Sequence, residues 1–218
     1  MTDVKVDGFA HFDLGAISKA DGYKLLASVI LPRPIAWVVS RDAEGINAAP
    51  FSFFNILSAD PPLVAIGFSA AADRDGKDTL TNIKAQGEFV VNLVPEELAQ
   101  AMNITATNAP RGTDETKLAG LELTKCEVVN VPRIVGSPVG LECKLFQVIE
   151  TGGTGTIVLG RIVYAHVRES AFANLEKLYV DPSKLRLIGR MHGAGGYCTT
   201  RDTFTINRLS WPLEGKRV

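Results

Sequence analysis

Arg33, Asn47, Ser52 and Asn55 stand among apolar runs between Pro32 and Pro62, in the stretch PRPIAWVVSRDAEGINAAPFSFFNILSADPP. A mostly apolar frame with a few placed polar groups is what orients a bound ring system, so this stretch points to a cofactor pocket. Pro50 withholds a backbone donor and bends its strand, which leaves nearby N–H and C=O groups to read the edge of a heterocycle. Asn47, Ser52 and Asn55 add side-chain hydrogen bonds; the alternative for either Asn is that it satisfies turn backbone. A second constellation, FSAAADRDGKDTLTNI, runs from a strand ending at Phe68 through Arg74, Gly76 and Lys77 to a helix starting near Asp78 and Thr79. The free N–H groups of a helix start, an ammonium and a hydroxyl together suit a phosphate dianion. Equally, Asp78 caps that helix and Arg74 and Lys77 are solvated. A third, IGRMHGAGGYCTTRD, sets Arg190, His192 and Tyr197 beside Gly193, Gly195 and Gly196, which allow close backbone approach.

These residues need strands to hold them. Short β-branched runs recur at 35–40, 62–68 and 88–94, followed by the long pair VGLECKLFQVI and TIVLGRIVYAHV. The glycines of ETGGTGT supply the positive φ of a hairpin turn, so the long pair is expected to be antiparallel. A dinucleotide-binding glycine loop would have to open a helix, whereas Gly155 leads into the strand-like run Thr156, Ile157, Val158, Leu159. Apolar alternation through Val139, Leu141, Cys143 and Leu145 changes phase at Phe146 and Val148, which predicts a bulge near Leu145. Helices are expected from about Asp78, with Leu80 and Ile83 on one face, from Pro95 through Met102, and around Glu115 to Ala119. The polar segment 103–114 reads as a surface loop, and Trp37 as a core aromatic. Many strands with short connections and few, irregularly placed helices make the class mainly β, an antiparallel barrel.

The chain has 218 residues, a size at which a barrel often forms one domain, and 1–218 is expected to be one, with its core at about 20–210. A formal net charge of -1 and scattered Lys and Arg argue against a nucleic-acid partner. Cys126, Cys143 and Cys198 are odd in number and widely spaced, which argues against a disulfide framework or a zinc site and for a reducing compartment. His11, His166 and His192 lie far apart, giving no metal triad, and His166 reads as a packed or interface residue. The N-terminus has no apolar h-region and no run reaches membrane-spanning length, so a cytoplasmic, membrane-free protein is expected.

RPIAWVVS, GINAAPFSFFN, DPP, KDTLTNI and GEFVVN, in this order and spacing, resemble the flavin reductase-like FMN-binding split-barrel family, flavoredoxin-like branch. Later blocks, APRGTDETKLAGLEL, GRIVYAHV and GRMHGAGGY, extend the resemblance over about 20–210. It implies a six-stranded Greek-key split barrel with a few peripheral helices, and a homodimer with FMN near the subunit interface. It also implies that Asn47, Ala48, Ala49, Pro50, Phe51 and Ser52 line the isoalloxazine and ribityl chain. Arg33 with Lys77, Asp78 and Thr79 would surround the phosphate. Relatives carry a further Arg and often a longer Gly and Pro stretch before the KDT block, so Arg74 is the second choice after Lys77. Arg190 and His192 would lie near the flavin, with His192 contacting a nicotinamide or adjusting a proton, or else being a surface loop residue.

No GxSxG elbow and no Cys with a nearby His occurs, which disfavours nucleophilic hydrolysis. A flavoprotein needs no such set, since the cofactor carries the redox chemistry. The expected function is therefore an NAD(P)H-dependent flavin reductase, with NADH or NADPH as co-substrate and a monooxygenase or electron-transfer partner. The alternatives are a non-enzymatic FMN-binding electron carrier of flavoredoxin type and a pyridoxamine-phosphate-oxidase-like barrel, the latter disfavoured by the GINAAPFSFFN and KDT blocks.

Overall fold

The computed structural model describes residues 8–43, 45–69, 77–193 and 195–211. In chain order its main strands are β1 (Ala36–Arg41), β2 (Ile46–Phe51), β3 (Phe54–Ala59), β4 (Pro62–Phe68) and β5 (Glu88–Leu93). A short pair, β6 (Leu123–Thr124) and β7 (Arg133–Ile134), precedes the long β8 (Val139–Glu150) and β9 (Thr156–Val167). Two further short pairs close the chain, β10 (Phe172–Asn174) with β11 (Tyr179–Val180) and β12 (Ile188–Arg190) with β13 (Tyr197–Thr199). The helices are α1 (Lys19–Val29), α2 (Asp78–Gln86), α3 (Ala99–Ile104), α4 (Glu115–Leu118) and α5 (Pro182–Leu185).

The main sheet has seven antiparallel strands in the order β2-β1-β5-β8-β9-β4-β3. Its two edges, β2 and β3, are one extended run, Ile46 to Ala59, interrupted only at Ser52 and Phe53. A sheet whose opposite edges are joined by two residues must curl on itself, and counting β2 and β3 together gives the six strands expected of a split barrel. The break at Ser52–Phe53 is the split.

Apolar residues fill both faces of β1. Ala36 and Val38 join Ile66, Phe68, Phe89, Val91 and Val158 in one core cluster, while Trp37 and Val39 join Val90, Met102, Val131 and Ile134 in another. Alternate residues of a strand point to opposite faces, so β1 is buried between two layers rather than half-solvated. Gly160 on β9 makes room for Phe89, since a Cβ there would come within 2.4 Å of the Phe89 ring.

The β8–β9 hairpin forms as expected, with Thr151 N–H and Oγ1 both bonded to the Gly155 carbonyl and Gly152 at φ +78. The predicted bulge is present, as a register shift between Leu145 and Gln147, and a second lies between Glu142 and Cys143. Three expectations change. The N-cap of α2 is Lys77, and Asp78 is its first helical residue rather than its cap. The helix read from Pro95 divides into a 3-10 turn at Glu96–Leu98 and α3. Helix α1 was not expected at all, although Ser18 Oγ accepts from the Asp21 N–H and the Ser-x-x-Asp spacing is a capping signal. No helix among the described residues is long and apolar enough to cross a membrane.

Candidate functional site

A cleft of about 290 Å³ opens beside the split. One wall is the chain from Ala49 to Phe53, a second is the start of α2 at Lys77, Asp78 and Thr79, and a third is the loop Thr105–Ala109 with Glu115 of α4. Tyr23 of α1 stands at the rim with its ring 6.0 Å from that of Phe53. The cleft is thus polar and cationic at the helix start and aromatic along the barrel edge.

The polar end rests on a buried network. Asn47 Nδ2 donates to Thr79 Oγ1 (2.8 Å) and Ser40 Oγ (3.3 Å), and Asn82 Nδ2 also donates to Ser40 Oγ (3.3 Å). Both amide hydrogens of Asn47 are therefore used inside the protein. Because Thr79 Oγ1 accepts one of them, its own hydrogen is directed elsewhere, and Thr79 lines the cleft. Arg111 Nε holds Asp78 Oδ1 at 2.9 Å and offsets the acid that opens α2. The first N–H groups of α2 have no intrahelical acceptor and carry the positive end of the helix dipole.

Glu115 is buried beside this end, its Oε2 accepting the Ala48 N–H at 3.2 Å. Burial pushes its carboxyl above the ordinary range, and the Asp78 and Asp114 charges push the same way. The loop wall is anchored from the core, since Trp37 Nε1 donates to Thr105 Oγ1 at 2.9 Å.

Of the residues expected at the site, Asn47, Ala49, Pro50, Phe51, Ser52, Lys77, Asp78 and Thr79 line this one cleft. Ala48 does not; its side chain is buried in the core and only its N–H turns toward Glu115. Arg33, expected beside the phosphate, is engaged in this structure by backbone carbonyls. Its guanidinium donates to the carbonyls of Ala27 (2.6 Å), Ile30 (3.0 Å) and Met191 (2.9 Å), and Nε lies 3.4 Å from Ser52 Oγ. It fixes α1 and the β12–β13 turn against the split instead of lining the cleft. Arg190 is likewise engaged by the carbonyls of Gly196 and Gly193, 2.8 Å each, and is stacked over Tyr197. His192 lies exposed in that turn and is not among the residues lining the cleft. Asn55 Oδ1 accepts the N–H of Ile56, the local role weighed for it. Arg74 lies outside the described residues.

Sequence reasoning missed Tyr23, Phe53, Thr105–Ala109 and Glu115. The loop carries no periodicity and reads as surface, and Tyr23 depends on α1. Asp114 did carry a signal, because an Asp before Glu-Thr-Lys is a helix cap, and it accepts from the Thr116 and Lys117 N–H groups.

A curled antiparallel sheet with one cleft at its split, aromatic at one end and cationic at the other, defines a small-molecule-binding split barrel. Residues 28–189 match the flavin reductase like domain, and the chain belongs to that family. An uncharacterised protein of Deinococcus radiodurans is 43% identical over 206 residues, covering 92% of this chain and 90% of that one. Nitrilotriacetate monooxygenase component B from Bacillus cereus is similar in structure, with TM-score 0.85 and 34% identity over 91% of this chain and 98% of that one. So is the 2-nitrobenzoate 2-nitroreductase of Pseudomonas fluorescens, with TM-score 0.85 and 33% identity over 94% and 100%.

Proposed function

We propose that this chain binds FMN in the cleft at the split and works as an NAD(P)H-dependent flavin reductase, as a homodimer. The observation that supports the reading best is the pairing of a phosphate-type end with a ring-type wall in one cleft of a flavin reductase family chain. Lys77, the Thr79 hydroxyl and the leading N–H groups of α2 would hold the phosphate by charge-assisted bonds. Pro50, Phe51 and Phe53 would provide the wall for the ring, and the Thr105–Ala109 loop would cover the chain between. The flavin, when bound, supplies the hydride chemistry. The residues of this chain bind, orient and shield it; Asn47 directs the Thr79 hydroxyl, and Glu115 holds a proton more readily than an exposed acid because of its burial.

The likeness to a monooxygenase component supports a second protein as the destination of the reduced flavin. Purified protein should retain flavin absorption after FMN is added and the unbound excess removed by gel filtration, and NADH or NADPH should bleach it catalytically. A protein that binds no FMN, or whose bound FMN neither nicotinamide reduces, overturns the proposal. Sedimentation tests the dimer, expected at twice the chain mass of 23.4 kDa.

A further inference from the structure

A second cavity, of about 360 Å³, shares no lining residue with the cleft. It lies where β7, the start of β8 and the end of β9 meet, and Arg133, Arg168, Tyr164 and His166 line it. Along one row of paired residues, Pro50, Trp37, Asn92, Gly140 and His166 follow one another, so β1, β5 and β8 separate the wall of the cleft from this cavity.

Arg133 is the unusual member. Its Nε is buried and has no hydrogen-bond partner, although a buried donor without an acceptor is costly. Its stem passes over Gly140, where a Cβ would come within 3.2 Å of Arg133 Cδ, and Gly140 is the residue paired with His166. The guanidinium is thus placed by a missing side chain. Arg168 adds a second, held by the Gly136 carbonyl at 2.9 Å and with Nη1 3.8 Å from Glu97 Oε1.

The buried acid on β8, Glu142, has its acceptor positions taken by other donors and makes no hydrogen bond to either guanidinium. Glu142 Oε1 accepts from the Glu127 N–H (2.8 Å) and faces His166 Nε2 (2.7 Å). Glu142 Oε2 accepts from the N–H groups of Val128 (2.7 Å) and Val129 (2.9 Å). Cys126, Glu142 and His166 bring ligand atoms within 4.8 Å of one another, but burial pushes the Cys126 thiol up to about 12. A neutral thiol and a carboxylate whose acceptor positions are filled make a poor cation site, and the two guanidiniums that line the cavity favour an anion. The donors also come from separate elements, Arg133 from β7 and Arg168 from just beyond β9, which suits an oxyanion with several acceptor oxygens.

We propose that this cavity is a second ligand site, for a phosphate group, recognised by the guanidiniums of Arg133 and Arg168 with the Tyr164 hydroxyl at its rim. The group belongs either to free inorganic phosphate or to a nucleotide. The test is titration of the full chain, loaded with one equivalent of FMN, by inorganic phosphate and by adenosine monophosphate, read from the ¹⁵N-edited arginine Nε–H resonances. Saturable movement of the Arg133 Nε–H signal without change in flavin absorption is expected. Tighter binding of adenosine monophosphate assigns a nucleotide, and equal or weaker binding assigns the free ion. Arg133→Gln should weaken calorimetric binding by about tenfold or more, and Arg133→Lys by less, because it retains charge without the planar fork. Arg168→Gln serves if the first variant does not fold. No saturable shift in the wild type, or equal affinity in wild type and the glutamine variants, overturns the site.

Discussion

Glu115 and Glu142 are both buried acids, yet their surroundings drive them in opposite directions. Burial alone would raise both. At Glu142 it is outweighed by the N–H groups of Glu127, Val129 and Val128 and by His166, which leave the carboxyl below its ordinary range. At Glu115 the Ala48 N–H and its own N–H do not compensate, and two neighbouring acids add to the rise. The lesson is that donor count, not depth, decides whether a buried carboxylate serves structure. Glu142 ties the segment Glu127–Val129 to β8, whereas Glu115 sits in the wall of the cleft.

The largest test of this contrast is Glu142→Gln. It replaces an acceptor of several donors by a group with one acceptor oxygen, and should cost about 3 kcal/mol in denaturant unfolding. A loss under about 1 kcal/mol would show that the donors around Glu142 find other partners. Lys77→Ala comes next and should act on the cleft alone, weakening FMN binding by about 1.5–3 kcal/mol with little change in unfolding. Fluorescence titration checks it, and unchanged affinity would mean a solvated lysine. Asn47→Ala, acting through the Thr79 hydroxyl, should reduce FMN affinity by about 1 kcal/mol without unfolding the protein.

Smallest of all is Glu115→Gln, expected to change stability by about 0.5 kcal/mol or less at neutral pH, in the stabilising direction. Its sign shows better in pH dependence. A carboxyl whose folded pKa is raised binds protons more readily when folded, so its contribution is lost as pH rises from the ordinary carboxylate value through the raised one. Glu142, with its pKa lowered, contributes above the ordinary value and loses that contribution as pH falls through the folded one. Stability across the acid range should therefore fall less steeply on the acid side in Glu142→Gln, where Asp21, Asp114, Glu150 and Asp181 keep their share, and decline less above the ordinary carboxylate range in Glu115→Gln. Identical profiles for the two variants would break the contrast.

The barrel was readable because its strands carry β-branched runs, a glycine turn and a phase change, all local signals. The cleft was readable where function and local pattern coincide, at Asn47, Pro50 to Ser52 and Lys77 to Thr79. Arg33 shows the limit. Its position between two prolines marks it as special, but its partners are carbonyls of α1 and of Met191, 158 residues away. No periodicity reports where a carbonyl will point. Glu142 has the same opacity, as an acid inside a strand whose donors come from a segment without pattern. Arg133 is placed by an absent Cβ at Gly140, which only the assembled register reveals.

The split also determines where the chain can be lengthened. Because Ile46 to Ala59 supplies both sheet edges, one residue inserted at Ser52–Phe53 would alter the stagger at which the cylinder meets itself, and with it the wall of the cleft. Residues added at Gly153 would only enlarge a hairpin tip. Loops for new recognition or a fused tag belong at the far end of β8 and β9, and the seam is the place where this architecture has no slack.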